Sequence, residues 1–157
     1  MRYLYFILVV TFLLNSCSKS DDVIPIPNFE DNEFPQEWKL SIMTIGMVPN
    51  SETYGQEMTM QETYIFNEDG SFTKNRITEE DSLTVEGTYK YQEEAETEEA
   101  IILEHDAVNT LIGNCSSSKK SEYLYFIKDD AYLRSNWHAC DGPSLFYERV
   151  KVGQDLN

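Results

Sequence analysis

The sequence predicts an antiparallel all-β domain, closed as a barrel or stacked as a sandwich. From Trp38 onward, apolar and polar side chains alternate with a period of two residues, and no long segment has a helical period. Turn residues such as those of Asn67–Gly70 separate short runs at regular intervals. A hydrophobic content of 41%, with 13% aromatic residues, is enough to build a core and argues against a disordered chain.

The predicted strands follow one another along the chain with little else between them. They are 38–45, 57–66, 71–77, 83–91, 100–104, 111–115, 123–128, 132–137 and 145–150. Asn67–Gly70 and Asp129-Asp130 are predicted turns, and the acidic segment 93–99 is predicted to be a solvated loop. Gly87 falls on the inward register of its strand, where a missing side chain lets the strand bend or a neighbour approach closely.

The first sixteen residues, 1–16, have the features of a secretory signal peptide. Arg2 precedes the apolar run Tyr3–Leu14, which as a helix would reach about 18 Å, whereas a bilayer core is about 30 Å thick. Leu14-Asn15-Ser16-Cys17 resembles the bacterial lipobox, which implies cleavage before Cys17 and a diacylglycerol on its thiol. The alternatives are a buried core helix and an unmodified thiol.

The segment 17–35 is predicted to be an extended acidic linker, because it is rich in proline and has no apolar period. Packing of its apolar residues onto the domain is the alternative; these residues are Val23, Ile24, Ile26 and Phe29. Ser18–Asp22 resembles the acidic export signal of surface lipoproteins in Bacteroidetes-type bacteria. That resemblance implies an outer-membrane lipoprotein and leaves open whether it faces the periplasm or the cell surface. The barrel domain is expected at 36–151, with a tail at 152–157.

The cysteine count predicts a disulfide. Lipidation of Cys17 leaves Cys115 and Cys140, and the compartment beyond the inner membrane is oxidising. Closing a loop of this length stabilises a fold by about 3 to 4 kcal/mol on a chain-entropy argument. Two reduced, buried thiols are the alternative.

Charge and motifs exclude several functions. Lys and Arg total 12 against 28 Asp and Glu, a net charge of −16 that repels nucleic acid. His105, His138 and the two cysteines lack a recognised zinc spacing, so no metal is expected. No nucleophile elbow, Ser-His-Asp order or phosphate-binding glycine loop is present, so neither an enzyme nor a cofactor is predicted.

Four elements together resemble the small lipocalin-like domains of Bacteroidetes lipoproteins. They are Trp38–Leu40, Tyr64–Phe72, Gly87–Tyr89 and Cys140–Pro143, although Gln36-Glu37 stands where the family has its opening glycine. The resemblance covers Trp38 to about Val150. It implies an up-and-down barrel of about eight strands that carries a small apolar ligand, and it implies no catalytic residues.

Soft and amphipathic side chains on the inward register are the predicted ligand pocket. These are Met58, Met60, Glu62, Tyr64, Phe66, Phe72, Val85, Tyr89 and Tyr91. Glu62, Lys74 and Arg76 also point inward unless a bulge turns the two cations outward, and they would form an internal ion pair or face a polar ligand group. The alternative is that these residues simply fill the barrel.

The leading hypothesis is a non-enzymatic envelope lipoprotein, attached to the membrane by its lipid, that binds a small apolar or amphipathic molecule. The alternative is a structural or interaction module of an outer-membrane complex with a filled barrel and an unspecified protein partner.

Overall fold

In the computed structural model, the residues described are Phe29, 33–46, 48–92, 99–127 and 132–150. This part of the chain is all β, with two short 3₁₀ turns at Gly55–Glu57 and Asn136–Cys140. The strands are β1 Gln36–Thr44, β2 Thr53–Tyr54, β3 Gln61–Phe66, β4 Ser71–Ile77, β5 Ser82–Gln92, β6 Ala100–His105, β7 Ser121–Ile127, β8 Tyr132–Ser135 and β9 Ser144–Val150.

The sheet closes on itself as an up-and-down barrel. From β3 to β9 each strand pairs antiparallel with the next, and β1 pairs with both β3 and β9. Eight strands, β1 and β3–β9, form the barrel, and β2 is added beside the end of β1. Closure removes the free edges that an open sheet would expose. The predicted barrel is therefore confirmed, and the sandwich is not formed.

Three predicted strands are shortened or absent, and the other strands except 71–77 differ by one or two residues at their ends. The strand predicted at 57–66 begins only at Gln61, because Gly55 has a φ of +52° and starts a 3₁₀ turn. The strand predicted at 111–115 is absent, and Leu111 is instead buried within the β6–β7 connection. The strand predicted at 132–137 ends at Ser135, where the second 3₁₀ turn begins.

The barrel has two different ends. The entry end carries the start of β1, the turn Asn67–Gly70 and the end of β9. The loop end carries the connections β1–β2, β2–β3, β4–β5, β6–β7 and β8–β9. Both ends of the folded chain therefore leave from the entry end.

An aromatic cluster fills the entry end. Phe29 is buried there, and the Gln36 side-chain amide donates a hydrogen bond to its carbonyl oxygen at 2.8 Å. Its ring lies 5.5 to 5.9 Å from the ring centroids of Phe34, Phe66, Tyr89, Tyr91 and Phe126. Phe29 thus packs onto the domain. At this position the alternative to an extended linker is the one observed.

Several predictions fall outside the described residues. These are the signal peptide 1–16, the lipidation site Cys17, the linker residues 18–28 and 30–32, the acidic segment 93–98, the turn 129–130 and the tail 152–157. Within the described part, no helix has the length and apolar character needed to cross a bilayer.

Large side chains from seven of the eight barrel strands, all except β5, fill the middle of the barrel. The fully buried ones include Trp38, Tyr64, Phe66, Phe72, Ile101, Leu103, Leu124, Leu133, Leu145 and Tyr147. Gly87 makes room for this packing, as its register predicts. A Cβ there would lie 2.7 Å from Cε1 of Phe72 and 2.9 Å from Cα of His105, closer than atoms can pack.

Candidate functional site: a buried ion network and a lateral cleft

The β3–β4 ladder carries charged residues into the barrel. Its register runs without a bulge from Gln61 opposite Ile77 to Phe66 opposite Phe72. Glu62 therefore lies opposite Arg76, and Lys74 follows on the same inward face. The side chains of Lys74 and Glu62 are completely buried, so of the two alternatives the inward orientation is the one observed.

Lys74 is the centre of a buried ion network. Its ammonium donates to Oε1 and Oε2 of Glu122 at 2.9 and 3.2 Å, and to the carbonyl oxygen of Leu111 at 2.7 Å. Oε2 of Glu62 is 3.7 Å away. The ammonium also lies 4.9 Å from the centroid of the Tyr64 ring, within cation–π range. Three oxygen contacts and an aromatic face replace the water that this cation loses on burial.

Glu62 is held by two donors from different walls. Nε of Arg76 donates to its Oε1, and the Tyr147 hydroxyl donates to its Oε2 at 2.5 Å. The Arg76 guanidinium also reaches the Leu111 carbonyl oxygen at 3.3 Å and lies 5.9 Å from the Trp137 ring centroid. Each carboxylate of the network therefore has a cation beside it.

The β6–β7 connection closes the network from the loop end. It supplies the Leu111 carbonyl and the Gly113 N–H, which donates to Oε1 of Glu122 at 3.2 Å. The predicted disulfide between Cys115 and Cys140 is present and joins this connection to the β8–β9 connection. The cap over the buried charges is thus covalently tied to a second loop.

His105 and Glu122 were missed as parts of this network. Nε2 of His105 lies 3.1 Å from Oε2 of Glu122, and both side chains are buried. The alternation along β7 could have predicted Glu122, because Glu122, Leu124 and Phe126 are every second residue and all point inward. Beginning the predicted strand at 123 excluded it.

The network perturbs the acidities of its members. Burial alone raises the pKa of Glu122, but the charge of Lys74 and the hydrogen bond from His105 outweigh it and lower that pKa. Burial, with the negative charges nearby, raises the pKa of Tyr64 and that of Tyr147 well above the usual value for a phenol. The Tyr64 hydroxyl is completely buried, and within the described part it has no hydrogen-bond partner.

A cleft opens in the barrel wall where β1 and β3 separate. Their ladder ends at Lys39 opposite Thr63, and β1 then pairs with β2. The space between has a volume of about 920 Å³. It is lined by Lys39, Leu40, Ser41, Gly55, Gln56, Met58, Thr59, Met60, Gln61, Glu62, Thr63, Ile77, Thr78 and Glu79. The Glu62 side chain is completely buried, so its carboxylate belongs to the network and not to the open surface.

The predicted pocket residues do not form one site. Met58 and Met60 line the cleft, whereas Glu62 belongs to the network. Tyr64, Phe66 and Phe72 are packed ring to ring in the core. The remaining three, Val85, Tyr89 and Tyr91, are half-buried residues of β5.

The two tyrosines of β5 belong to the aromatic cluster of the entry end. Tyr91 stacks on Phe29, and Tyr89 donates from its hydroxyl to the Asn67 carbonyl oxygen at 2.7 Å. Burial and the charge of Asp69 raise the pKa of Tyr89 to about 12. Tyr89 and Tyr91 thus join the turn Asn67–Gly70 to the aromatic cluster around Phe29.

The buried network and the cleft differ in what they can do. The network balances its charges internally, and its carboxylates have no exposed surface to offer a substrate. The cleft is open, with apolar and polar groups side by side. In the described part of the chain, no three His, Cys, Asp or Glu side chains converge to hold a metal ion. No family model, curated protein or solved structure matches this chain.

Proposed function

We propose that this protein is a non-enzymatic lipoprotein of the outer membrane, held by a lipid on Cys17, whose lipocalin-like barrel binds a small amphipathic molecule in the lateral cleft. The observation that carries the binding proposal is the cleft itself. Its volume of about 920 Å³ is within the size range of small-molecule sites, about 300 to 1,000 Å³.

The lining of the cleft favours a ligand with one apolar and one polar part. Leu40, Met58, Met60 and Ile77 supply apolar surface, and methionine adapts its shape to different guests. Lys39 and other polar side chains lie among them and can orient a polar group. The central interior is occupied by packed side chains, so the binding site we propose is in the wall and not in the middle of the barrel.

Filling the cleft tests this proposal. Thr63 and Ile65 share the outer face of β3, but only Thr63 lines the cleft. We expect Thr63→Trp to weaken binding about tenfold, or about 1.4 kcal/mol, because the indole occupies the ligand's volume. Ile65→Trp is the matched control and leaves binding unchanged.

The probes are three amphiphiles with the same twelve-carbon chain: laurate, dodecyltrimethylammonium and dodecylphosphocholine, each below its micelle concentration. Calorimetric titration of the mature protein measures affinity, and the rise in Tm provides a second readout. A probe that binds the parent and Ile65→Trp, and binds Thr63→Trp weakly, supports the proposal. Absence of binding by all three probes, or equal binding to both variants, contradicts it.

The lipid anchor is tested separately. Cys17→Ser removes the only thiol that the lipobox-like sequence offers for acylation. We expect cells fed an alkyne fatty acid to label the parent but not this variant, which then leaves the outer-membrane fraction. Two acyl chains suffice to hold a soluble domain on a membrane, at about 0.8 kcal/mol per buried methylene. Cys140→Ser is the control and retains the label; a labelled Cys17→Ser protein would refute the anchor.

A second candidate is a structural or interaction module of an outer-membrane complex. The packed interior and the buried network favour it, because a filled barrel acts through its surface. Purification from native membranes distinguishes the two: a stoichiometric protein partner without a co-purifying small molecule supports the module.

A further inference from the structure

Exposed apolar side chains collect at one end of the barrel. Seven large ones are exposed in the described residues, and six belong to the loop end: Ile45 at 64%, Val48 at 58%, Tyr54 at 54%, Ile77 at 50%, Leu83 at 41% and Val108 at 61%. The seventh, Ile65, lies on the outer wall of β3. Single exposed apolar residues are ordinary on any protein, but a concentration of them at one place is typical of an interaction site.

The segments that present these side chains are held in shape by their own hydrogen bonds. The Val48 N–H donates to the Ile45 carbonyl oxygen at 3.1 Å, and the Thr78 N–H donates to the Asp81 carbonyl oxygen at 2.9 Å. In the β6–β7 connection, the Asp106 N–H donates to Glu86 of β5 at 3.1 Å. Pre-formed loops lose less conformational entropy on binding than loops that must first become ordered.

Acidic residues outnumber basic ones in the segments of the loop end. The exposed acids beside the apolar residues are Glu52, Glu57, Glu79, Glu80, Asp81 and Asp106. The segments 45–57 and 77–83 contain no Lys or Arg, whereas the β6–β7 connection carries Lys119 and Lys120, and the Lys120 ammonium donates to the Asp106 carbonyl oxygen at 2.6 Å. These six acids outnumber the two lysines, so this apolar surface is negatively charged. It therefore repels anionic lipid and nucleic acid and attracts a cationic partner.

Both ends of the folded chain are at the opposite end of the barrel. β1 begins at the entry end, Phe29 is buried there, and β9 finishes there beside Glu37. A tether at the entry end therefore leaves the loop end directed away from the attached surface. This arrangement favours a partner that approaches from the far side over the membrane that holds the tether.

We propose that the loop end, defined by the six apolar residues above, is the docking face for a protein whose contact surface has an apolar centre surrounded by Lys and Arg side chains. This inference deepens the second candidate function and rests on it. Val48 and Val108 do not line the cleft, so a failure of the docking proposal can be distinguished from a failure of ligand binding.

Site-specific photo-crosslinking in the native cells identifies the partner. A benzoylphenylalanine at Val48 or Val108 probes the docking face of the full-length protein, and one at Ile65 is the matched control on the outer wall. We expect the same polypeptide to be captured from both positions of the docking face and not from Ile65.

The captured polypeptide is then purified and its binding is measured. We expect affinity to fall about tenfold in Val48→Ser/Val108→Ser and in Glu52→Lys/Glu80→Lys, to fall as salt rises, and to be unchanged in Ile65→Ser. Unchanged Tm values in these surface variants exclude loss of folding as the cause. The proposal is overturned by no adduct, by an adduct only to lipid or to a second copy of this chain, by equal capture at Ile65, or by affinity that charge reversal leaves unchanged.

Discussion

Two buried tyrosines in the middle of this protein, Tyr64 and Tyr147, differ in whether the hydroxyl group forms a hydrogen bond. The Tyr147 hydroxyl donates to the Glu62 carboxylate, whereas the Tyr64 hydroxyl has no partner in the described residues. Their ring centroids are only 5.0 Å apart, so they share the same packing environment. Comparing the two residues therefore separates two contributions to the free energy of unfolding: that of a charge-assisted hydrogen bond and that of a buried aromatic ring.

Removing the two hydroxyls tests this difference. We expect Tyr147→Phe to lower the free energy of unfolding by about 1.5 to 3 kcal/mol, because the buried Glu62 carboxylate loses a charge-assisted hydrogen bond. Tyr64→Phe should change it by less than about 1 kcal/mol, or raise it, since an unsatisfied hydroxyl is removed. Urea unfolding measures both variants. Equal losses in the two would show that the hydroxyl of Tyr64 is bonded in solution.

At this scale the sequence reduced the orientation of three charges to two alternatives and did not indicate their partners. The alternation around Glu62, Lys74 and Arg76 places all three inward, and the bulge-free ladder agrees. Lys74 contacts Leu111 and Glu122, which lie 37 and 48 residues further along the chain. Local periodicity contains no information about which distant wall a side chain will meet.

At the scale of elements, β5 depends on a residue without a side chain. Gly87 faces inward at the crossing with β6, where Phe72 and the backbone of Glu104 and His105 leave no room for a Cβ. The backbone of that neighbouring strand cannot move aside as a flexible side chain could.

Adding one methyl group here should therefore be costly. We expect Gly87→Ala to lower the free energy of unfolding by about 1 to 3 kcal/mol through overpacking. Thr88→Ala, at the next and exposed position of the same strand, is the control and should change it by about 0.5 kcal/mol or less. Chemical denaturation compares them, and a neutral Gly87→Ala would mean that β5 and β6 are further apart than described.

Strand patterns predicted the long elements and missed the irregular ones. Ser71–Ile77 is found where it was predicted, because its alternation and its preceding turn agree. The 3₁₀ turn at Gly55–Glu57 begins at the positive φ of Gly55. The apolar residues around it give no sequence signal for this turn. Leu111 is apolar because it is buried as part of a cap, and an apolar residue in a cap has the same sequence signal as one in a strand.

For the whole molecule, the buried network predicts how stability depends on pH. Glu122 has a lowered pKa in the folded state, so its contribution is present above its unfolded value, near 4.5, and is lost as the pH falls. Tyr64 and Tyr147 have raised pKa values, so theirs is present below 10.0 and is lost as the pH rises. Stability should be greatest between these limits.

Urea unfolding across this range measures the effect, and single variants assign it. We expect Glu122→Gln to flatten the acidic decline and Tyr147→Phe to flatten the alkaline one, because each removes one titrating group from the cycle. Thr88→Ala, outside the network, serves as the control. An alkaline decline of undiminished slope in Tyr147→Phe would contradict the assignment.

The class of fold could be predicted from the sequence, whereas the location of the candidate site could not. A period of two residues and regular turns require an antiparallel sheet, and a chain of this length with these strands closes readily. The predicted pocket was the interior, but aromatic rings such as those of Tyr64 and Phe72 fill it. The cleft arises because β1 leaves β3 to pair with β2, a two-residue strand too short to give any periodic signal.

The pairing of β1 with β9 affects how this protein folds. The first and last strands of the barrel are neighbours, with Glu37 beside Val150. The pairing of β1 with β9 can form only after β9 has been made, and contacts between such distant parts of a chain form late in folding. A truncation before Ser144 would remove β9 and leave β1 and β8 with unpaired edges. Each edge could then pair with a strand of another molecule and cause aggregation.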